Sequence, residues 1–405
     1  MKIGLVSPYD WSYPGGVRDH VWHLANEFIA QGHDVRILAP ASGPKRKIPE
    51  KYVYKIGWPT PIPANGSVAR VAAFDPALAL RLRRVLQREN FDILHIHEPL
   101  VPGLSLAALR CSQTVTVGTF HASSEVSLTS TFNLAYASLV PLLRPMLRHL
   151  DGRIVVSSAT YAFITHYFPA NYRIIPNGIK LDSNHQQAEP LPHFMDGKQN
   201  ILFLGRFEKR KGAKYLLRAI PAIRAKHPDT RFIFVGEGRL RAGFQRFVER
   251  RGWRDVVFTG YVPAEEKARY FASAHVFCAP ATGGESLGIV LLEAMAAGKA
   301  IVASNISGYA TVITHGIDGL LTPPRSSEDL ARAIGQLLKQ EALRQRLGQA
   351  GQQKAQEYAW PHVATQVLDY YEELLNERKH TTGREMYGSI TRTYSDRGSQ
   401  HANGL

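Results

Sequence analysis

The sequence predicts an α/β protein made of two parallel-sheet domains in tandem. Three observations carry this. Short apolar runs alternate with amphipathic, helix-like stretches along the chain. Each run is short and closes in Pro, Gly, His or Ser. The alternation stops once, near Pro176-Asn177-Gly178, and restarts at Asn200. With 405 residues, the chain suffices for two domains of roughly 100–200 residues each.

The elements follow in order. Residues 3–7 read as a buried first strand, 17–31 as a helix, and 34–39 as a second strand closed by Pro40. Residues 91–97, 114–120 and 153–157 are further strands of a first domain, 1–180. The polar, proline-containing stretch 181–198 reads as a linker. Strands at 200–205, 231–235, 256–259, 276–279, 300–303 and 319–321 build a second domain, 199–361. Trp360-Pro361 opens an amphipathic helix over about 362–378. The stretch 379–405 is rich in Thr, Ser, Gly and Arg without apolar periodicity, and is expected to be disordered.

Composition narrows the class. Hydrophobic residues at 44% and charged residues at 20% exclude a wholly disordered chain. Cys111 and Cys278 are too few for a disulfide scaffold or a four-cysteine zinc module; both read as reduced thiols in apolar, strand-like surroundings. Residues 1–7 carry one positive charge and too short an apolar run for a signal peptide. No apolar run approaches the ~18 residues of a membrane span, so a cytoplasmic location is expected. The net charge is +15. Much of the excess is concentrated: Lys45, Arg46, Lys47, Lys51, Lys55, Arg70, Arg81, Arg83, Arg84 and Arg88 face only Glu50 and Asp75 across the same segment. Such clustering points to an anionic partner, whereas a scattered excess would read as a solvated face.

Ligands of open parallel sheets bind beyond the carboxyl ends of strands, so the strand-end loops come first. Gly15-Gly16 precede the first helix and admit close backbone approach to its N-terminal amides; a tight turn would use them equally well. Arg206, Lys209, Arg210 and Lys211 follow the strand that opens the second domain, where a diphosphate would be held. Glu285 sits at the mouth of an apolar helix, and Glu293 lies eight residues later. At ~1.5 Å per helical residue, that separation is on the order of 12 Å. That is too far for two carboxylates acting on one bond, but fits hydroxyl-rich groups at the two ends of an elongated ligand. An acid inside so apolar a helix needs a partner. His95 and His97 share one face of a strand; a metal pair and hydrogen-bonded strand-end histidines both fit, and no matching downstream ligand set is evident. His121 also ends a strand, toward the same cleft.

Together these segments resemble the retaining glycosyltransferases of family 4, over residues 1 to about 377. Glu285 and Glu293 match that family's E-x7-E motif, Arg206 and Lys211 its diphosphate-binding pair, and Gly15-Gly16 its N-terminal glycine loop. The resemblance implies the GT-B fold: two Rossmann-like domains, a cleft between them, and a C-terminal helix crossing back onto the first. Residues 14–17, 65–70, 95–99 and 283–286 are similar to the phosphatidylinositol mannosyltransferases within that family. This implies mannose transfer, with retention, from GDP-mannose to an inositol hydroxyl of phosphatidylinositol. Arg206 and Lys211 would stabilise the leaving diphosphate, Glu285 would hold sugar hydroxyls, Glu293 the ribose, and His121 would orient the transferred sugar. Gly15, Gly16, Ser286, Leu287, Gly288, Ile289 and Val290 would complete the donor site. Asn65 and Ser67 would meet inositol hydroxyls and Arg70 the phosphate.

The subfamily also docks on anionic lipid through a basic helix. Arg81, Arg83, Arg84 and Arg88 would serve here, beside an apolar repeat at Leu78, Leu82 and Val85. The resemblance thus implies a peripheral enzyme at the inner face of the plasma membrane. No cofactor and no metal are implied, and no nucleic acid. Two positions depart from the subfamily pattern, Ala64 (commonly Tyr) and Ala122 (commonly Thr), both on the acceptor side. Competing readings are a soluble or other-lipid transferase using a UDP-sugar, a nucleotide-sugar epimerase or hydrolase, and a non-catalytic GT-B scaffold binding anionic lipid or nucleic acid.

Overall fold

The computed structural model describes residues 1–13, 15–43, 52–64, 67–72, 75–122, 138–181 and 188–398. In the first half, the strands are β1 (Lys2–Val6), β2 (Asp34–Ala39), β3 (Val53–Lys55), β4 (Pro59–Ala64), β5 (Ser67–Ala72), β6 (Ile93–His97), β7 (Val115–Phe120), β8 (Gly152–Val155) and β9 (Arg173–Ile174). Among the described residues, all but β4 and β5 form one parallel sheet, ordered β3-β2-β1-β6-β7-β8-β9. β4 and β5 pair antiparallel as a separate hairpin. The second sheet holds β10 (Gln199–Leu204), β11 (Thr230–Val235), β12 (Val256–Gly260), β13 (Val276–Ala279), β14 (Ala300–Ser304) and β15 (Leu320–Thr322). It is also parallel, ordered β12-β11-β10-β13-β14-β15. The family resemblance implied this GT-B arrangement.

Period-two alternation decides which side chains reach which layer. Ile3 and Leu5 of β1, Val35, Ile37 and Ala39 of β2, and Ile93 of β6 enter one apolar core, with helix Gly16–Ala30. Val6, Leu38, Leu94 and Ile96 enter the core on the other face, with helices Pro76–Glu89 and Leu104–Cys111. The parity of Ile93 carries His95 and His97 to the first of these faces, and that of Val117 carries Thr119 there.

Helix Trp360–Gly398 closes that face. Trp360, Val363, Ala364, Val367, Leu368, Tyr371 and Leu374 all join the first domain's core, although the chain reaches them from the second. The helix runs on to Gly398, so the stretch expected to be disordered from 379 is helical for most of its length. No proline follows Pro361, and extending a nucleated helix adds one hydrogen bond per residue fixed. Cys278 is buried in β13, but Cys111 ends a helix and is half-buried, contrary to the strand-like reading. Its neighbours Leu104, Ala107 and Ala108 form an i, i+3, i+4 apolar face, which a short run does not distinguish from a strand. In both sheets the strand order reverses beside the first strand, between β1 and β6 and between β10 and β13, while every pairing stays parallel. The chemistry-bearing loops leave the carboxyl ends of strands around these reversals.

Candidate active site

The loop after β10 carries the cations. Lys209–Lys211 form one 3-10 turn, closed by Gly212 at φ +72°. A β-carbon at Gly212 would lie 1.8 Å from the carbonyl oxygen of Pro280, so glycine locks this loop against the one after β13. The Thr282 amide donates to the Arg210 carbonyl at 2.7 Å and reinforces the contact. Lys211 Nζ then reaches Glu285 at 2.8 Å, and Arg210 reaches the same carboxylate at 2.5 Å. Arg206 pairs with Glu208 at 2.9 Å and stays half exposed. The family resemblance singled out Arg206 and Lys211 from the four cations of this loop; the structure turns Arg210 inward as well, bonded to both Glu208 and Glu285. Its signal was present in the cation run, but spacing alone does not say which of four cations turns inward.

Glu285 is not helical. The helix starts at Ile289, after Gly288 at φ +81°, so the helical-rise separation of Glu285 and Glu293 does not apply. Gly288 breaks the helix N-terminally, and residues 285–288 form a loop that folds over toward the first domain. Glu293 has the partner its apolar helix demanded, Lys267 at 3.3 Å. Leu287 is buried, and Ile289 and Val290 are half-buried in the first turn. The loop also leans on Gly308, where a β-carbon would meet the Glu285 carbonyl oxygen at 1.8 Å. Gly308→Ala should therefore displace Glu285, costing about 1–3 kcal/mol of stability and tenfold or more in transfer rate. Urea unfolding and a turnover assay check both, and an unchanged rate would mean Glu285 is not positioned by this contact.

The two domains meet at Ser286. Its hydroxyl donates to the His121 carbonyl at 2.5 Å, and the Ser157 hydroxyl donates to the Ser286 carbonyl at 2.5 Å. His121 lies one residue beyond β7 and is buried. Around it the strand-parity rule gathers a histidine layer. His97 Nδ1 lies 3.0 Å from His121 Nε2, and His95 stacks on His97 with ring centroids 4.3 Å apart. His95 is bonded at both nitrogens, to Tyr371 Oη at 2.5 Å and Thr119 Oγ1 at 2.6 Å. His20 of helix Gly16–Ala30 packs edge-on against His121 and Trp360. Burial, and then mutual repulsion of their charged forms, hold all four imidazoles below the usual histidine range; His95 and His121 fall to about 3. They are neutral at physiological pH. His20, His97 and His121 each bring one ring nitrogen within 4.8 Å of the others, a set that could hold a cation. Two of these residues, His97 and His121, already bond to each other through a ring nitrogen each.

Glu98 follows this layer. It sits at φ +51°, and its Oε1 accepts the amides of His121 at 2.9 Å and Ala122 at 2.8 Å. Burial raises its carboxyl to about 7, against those two hydrogen bonds. His97 and Glu98 lay in a segment singled out from the sequence but were given no role in the site, and His20 and Tyr371 were absent from it. Strand alternation announced His97, but nothing local announces contacts 24 to 276 residues away.

The acceptor-side residues come together in part. Asn65 lies outside the described residues, and of Ser67 the backbone alone is described, in β5. Arg70 stacks its guanidinium 4.0 Å over the Tyr13 ring, and its carbonyl accepts the Asp10 amide at 2.8 Å. It therefore stands beside the loop that leads to Gly15 and Gly16. Those glycines have open space where a β-carbon would project. Gly15 is extended at φ −177°, so what glycine supplies here is clearance above the first turn of the helix.

Helix Pro76–Glu89 presents Arg81, Arg83, Arg84 and Arg88 to solvent. Arg88 is bound to Tyr54 and Glu89. Leu78 and Leu82 are 1% and 0% exposed and belong to the domain core. The apolar repeat expected beside the arginines is thus spent on folding; Leu80, 55% exposed, is the apolar side chain left facing out. Among the described residues, no helix is long and apolar enough to cross a membrane.

Two family models match: "Glycosyltransferase Family 4" over residues 14–183 and "Glycosyl transferases group 1" over 187–354. The phosphatidyl-myo-inositol mannosyltransferase of Mycobacterium leprae is 41% identical over 377 residues, covering 92% of this chain and 96% of that protein. The protein of the same name from Mycolicibacterium smegmatis is 38% identical over 374 residues, covering 92% and 94%. Among solved structures, Anabaena Alr3699/HepE in complex with UDP aligns at a TM-score of 0.73 with 17% identity, over 92% of this chain and all of that one. That likeness establishes the fold alone.

Proposed function

This chain belongs to the phosphatidyl-myo-inositol mannosyltransferase family and is a glycosyltransferase, and on that premise we propose that it transfers mannose from GDP-mannose to phosphatidylinositol, with retention, at an anionic bilayer surface. The observation that carries the reading is the convergence of Lys211 and Arg210 on Glu285 at the seam where Ser286 meets His121. Fixed positive charge and a carboxylate on one side of that seam, with a neutral imidazole on the residue at its other side, support the reading.

In this reading, the diphosphate competes with Glu208 and Glu285 for Arg206, Arg210 and Lys211. Those cations stabilise the charge that grows on the leaving group as the glycosidic bond breaks. Glu285 accepts hydroxyl hydrogen bonds from the sugar, and Glu293, held by Lys267, those of the ribose. The departing phosphate takes the acceptor hydroxyl's proton on the same face, which preserves the anomeric configuration. Arg70 holds the acceptor phosphate.

The lipid side rests on charge more than on an apolar stripe. Arg81, Arg83 and Arg84 project beside Leu80, and Arg83 also lines a surface groove of about 620 Å³ with Arg110 and His149. Among the described residues, no carboxylate lines that groove. At ~1 kcal/mol per cation near an anionic surface, replacing Arg81, Arg83 and Arg84 with serine should weaken vesicle binding about 100-fold. Sedimentation with phosphatidylinositol-containing vesicles checks this; retained binding would move the docking surface elsewhere.

The deciding experiment crosses GDP-mannose, UDP-glucose and UDP-N-acetylglucosamine with phosphatidylinositol vesicles and with lipid-free buffer. Mannosyl lipid from GDP-mannose and phosphatidylinositol alone is the expected result. Transfer from another donor, or to a soluble acceptor, would keep the cation loop's role and overturn the substrate assignment.

A further inference from the structure

We propose that His97 and Glu98 are positioning residues that together fix His121, His97 through its imidazole and Glu98 through its main chain. The inference rests on the mannosyl-transfer reading of the site and adds what holds its sugar-facing histidine in place.

The proton count gives the argument its direction. His97 is fully buried and neutral, so it carries one ring proton. Its Nδ1 faces His121 Nε2 at 3.0 Å, and its Nε2 has no partner among the described residues. With the proton on Nδ1, the bond to His121 forms and a lone pair is left over. With the proton on Nε2, a buried N–H is left without an acceptor, which is the costlier arrangement. His97 therefore donates from Nδ1, and His121 accepts at Nε2 and keeps its own proton on Nδ1. His97 cannot turn away, because His95 stacks on it and is itself pinned by Tyr371 and Thr119. The crossover helix thus reaches the site through Tyr371.

Glu98 acts on the other half of the same residue. One carboxylate oxygen accepts two successive amides, His121 and Ala122, just where the chain leaves β7. These are main-chain donors that no sheet partner satisfies at that point. The His121 carbonyl, across the peptide, takes the Ser286 hydroxyl from the second domain. The backbone of His121 is consequently held from both domains, and its ring by His97.

The test uses side chains that keep or lose one atom. Asparagine at 97 places an N–H where Nδ1 was; glutamine places its amide where Nε2 was. His97→Gln should lower kcat/KM for mannosyl transfer about 10- to 100-fold, through kcat, while His97→Asn stays within about threefold. Glu98→Gln keeps an oxygen for both amides and should stay within about threefold; Glu98→Ala should lose about tenfold or more. In parallel, imidazole ¹⁵N NMR of the full chain should show His121 as the Nδ1–H tautomer in wild type and His97→Asn, and an altered tautomer or exchange-broadened signal in His97→Gln. His121→Asn supplies the assignment. Equal losses in both His97 variants, or a His121 tautomer indifferent to residue 97, would overturn the clamp. A wild-type chain without mannosyl transfer would instead overturn the substrate reading, and the NMR arm would still decide the clamp.

Discussion

Lys211→Ala should lower kcat for sugar transfer about 100- to 1,000-fold while the protein stays folded. Removing one preorganised charge opposite a developing anion typically costs ~3–4 kcal/mol of transition-state stabilisation. Lys211 is the less exposed of the two cations that the family resemblance implied, 18% against 52% for Arg206, and desolvation strengthens its field. The fold should survive because Glu285 keeps Arg210 as a partner at 2.5 Å. The checks are steady-state kinetics with saturating donor and a thermal melt. A loss confined to KM would mean that Lys211 holds donor and transition state equally, so that it serves binding alone. Arg206→Ala should cost less, since water and Glu208 already screen that guanidinium.

The second large effect is on stability, and it comes from the histidine layer. His20, His95, His97 and His121 are buried neutral, with His95 and His121 protonating only near pH 3. The unfolded chain takes up those protons once pH drops below the ordinary value of 6.5; the folded chain does not. Their contribution is therefore complete above pH 6.5 and is lost as pH falls, at about 1.4 kcal/mol per pH unit for each histidine. Glu98 opposes them. Its carboxyl titrates at about 7 when folded and at the ordinary 4.5 when unfolded, so its contribution grows as pH falls through that window. Four histidines against one carboxyl leave about three protons net, or about 4 kcal/mol per pH unit near pH 5 as an upper bound. Urea midpoints taken from pH 7.5 to pH 5 should fall steeply below pH 6.5. His20→Phe keeps a ring against Trp360 and should remove about one proton from that slope. A midpoint flat across the range would show that the four rings do not stay neutral in the folded chain.

The legible part of the site is the part built from neighbours in sequence. Gly15 and Gly16 precede their helix, Arg206 and Lys211 share one strand-end loop, and Glu285 lies just ahead of the apolar helix that carries Glu293; each depends on local geometry. Illegible was anything that required a second strand or domain. Helical spacing suggested a free apolar stripe at Leu78 and Leu82, but a stripe does not say whether it faces a bilayer or a core. The core took both residues. The pairing of Glu285 with Arg210 depends on the 3-10 turn and on Gly212 seating against Pro280, neither of which local propensity states.

By itself, then, the sequence determined the two parallel sheets, most of their strands and the loops that bear charge, because apolar periodicity and strand-end residues are local properties of a chain that must bury its strands on both faces; the short strands β3 and β9 and the β4–β5 hairpin were not read from it. Only the tertiary structure decided which groups touch. Strand register set His95, His97 and His121 on one face, the returning helix brought Tyr371 to them, and domain contact put Ser286 on the His121 carbonyl. Those contacts span up to 276 residues, and they form only after the sheets have ordered and the last helix has found an apolar face to cover.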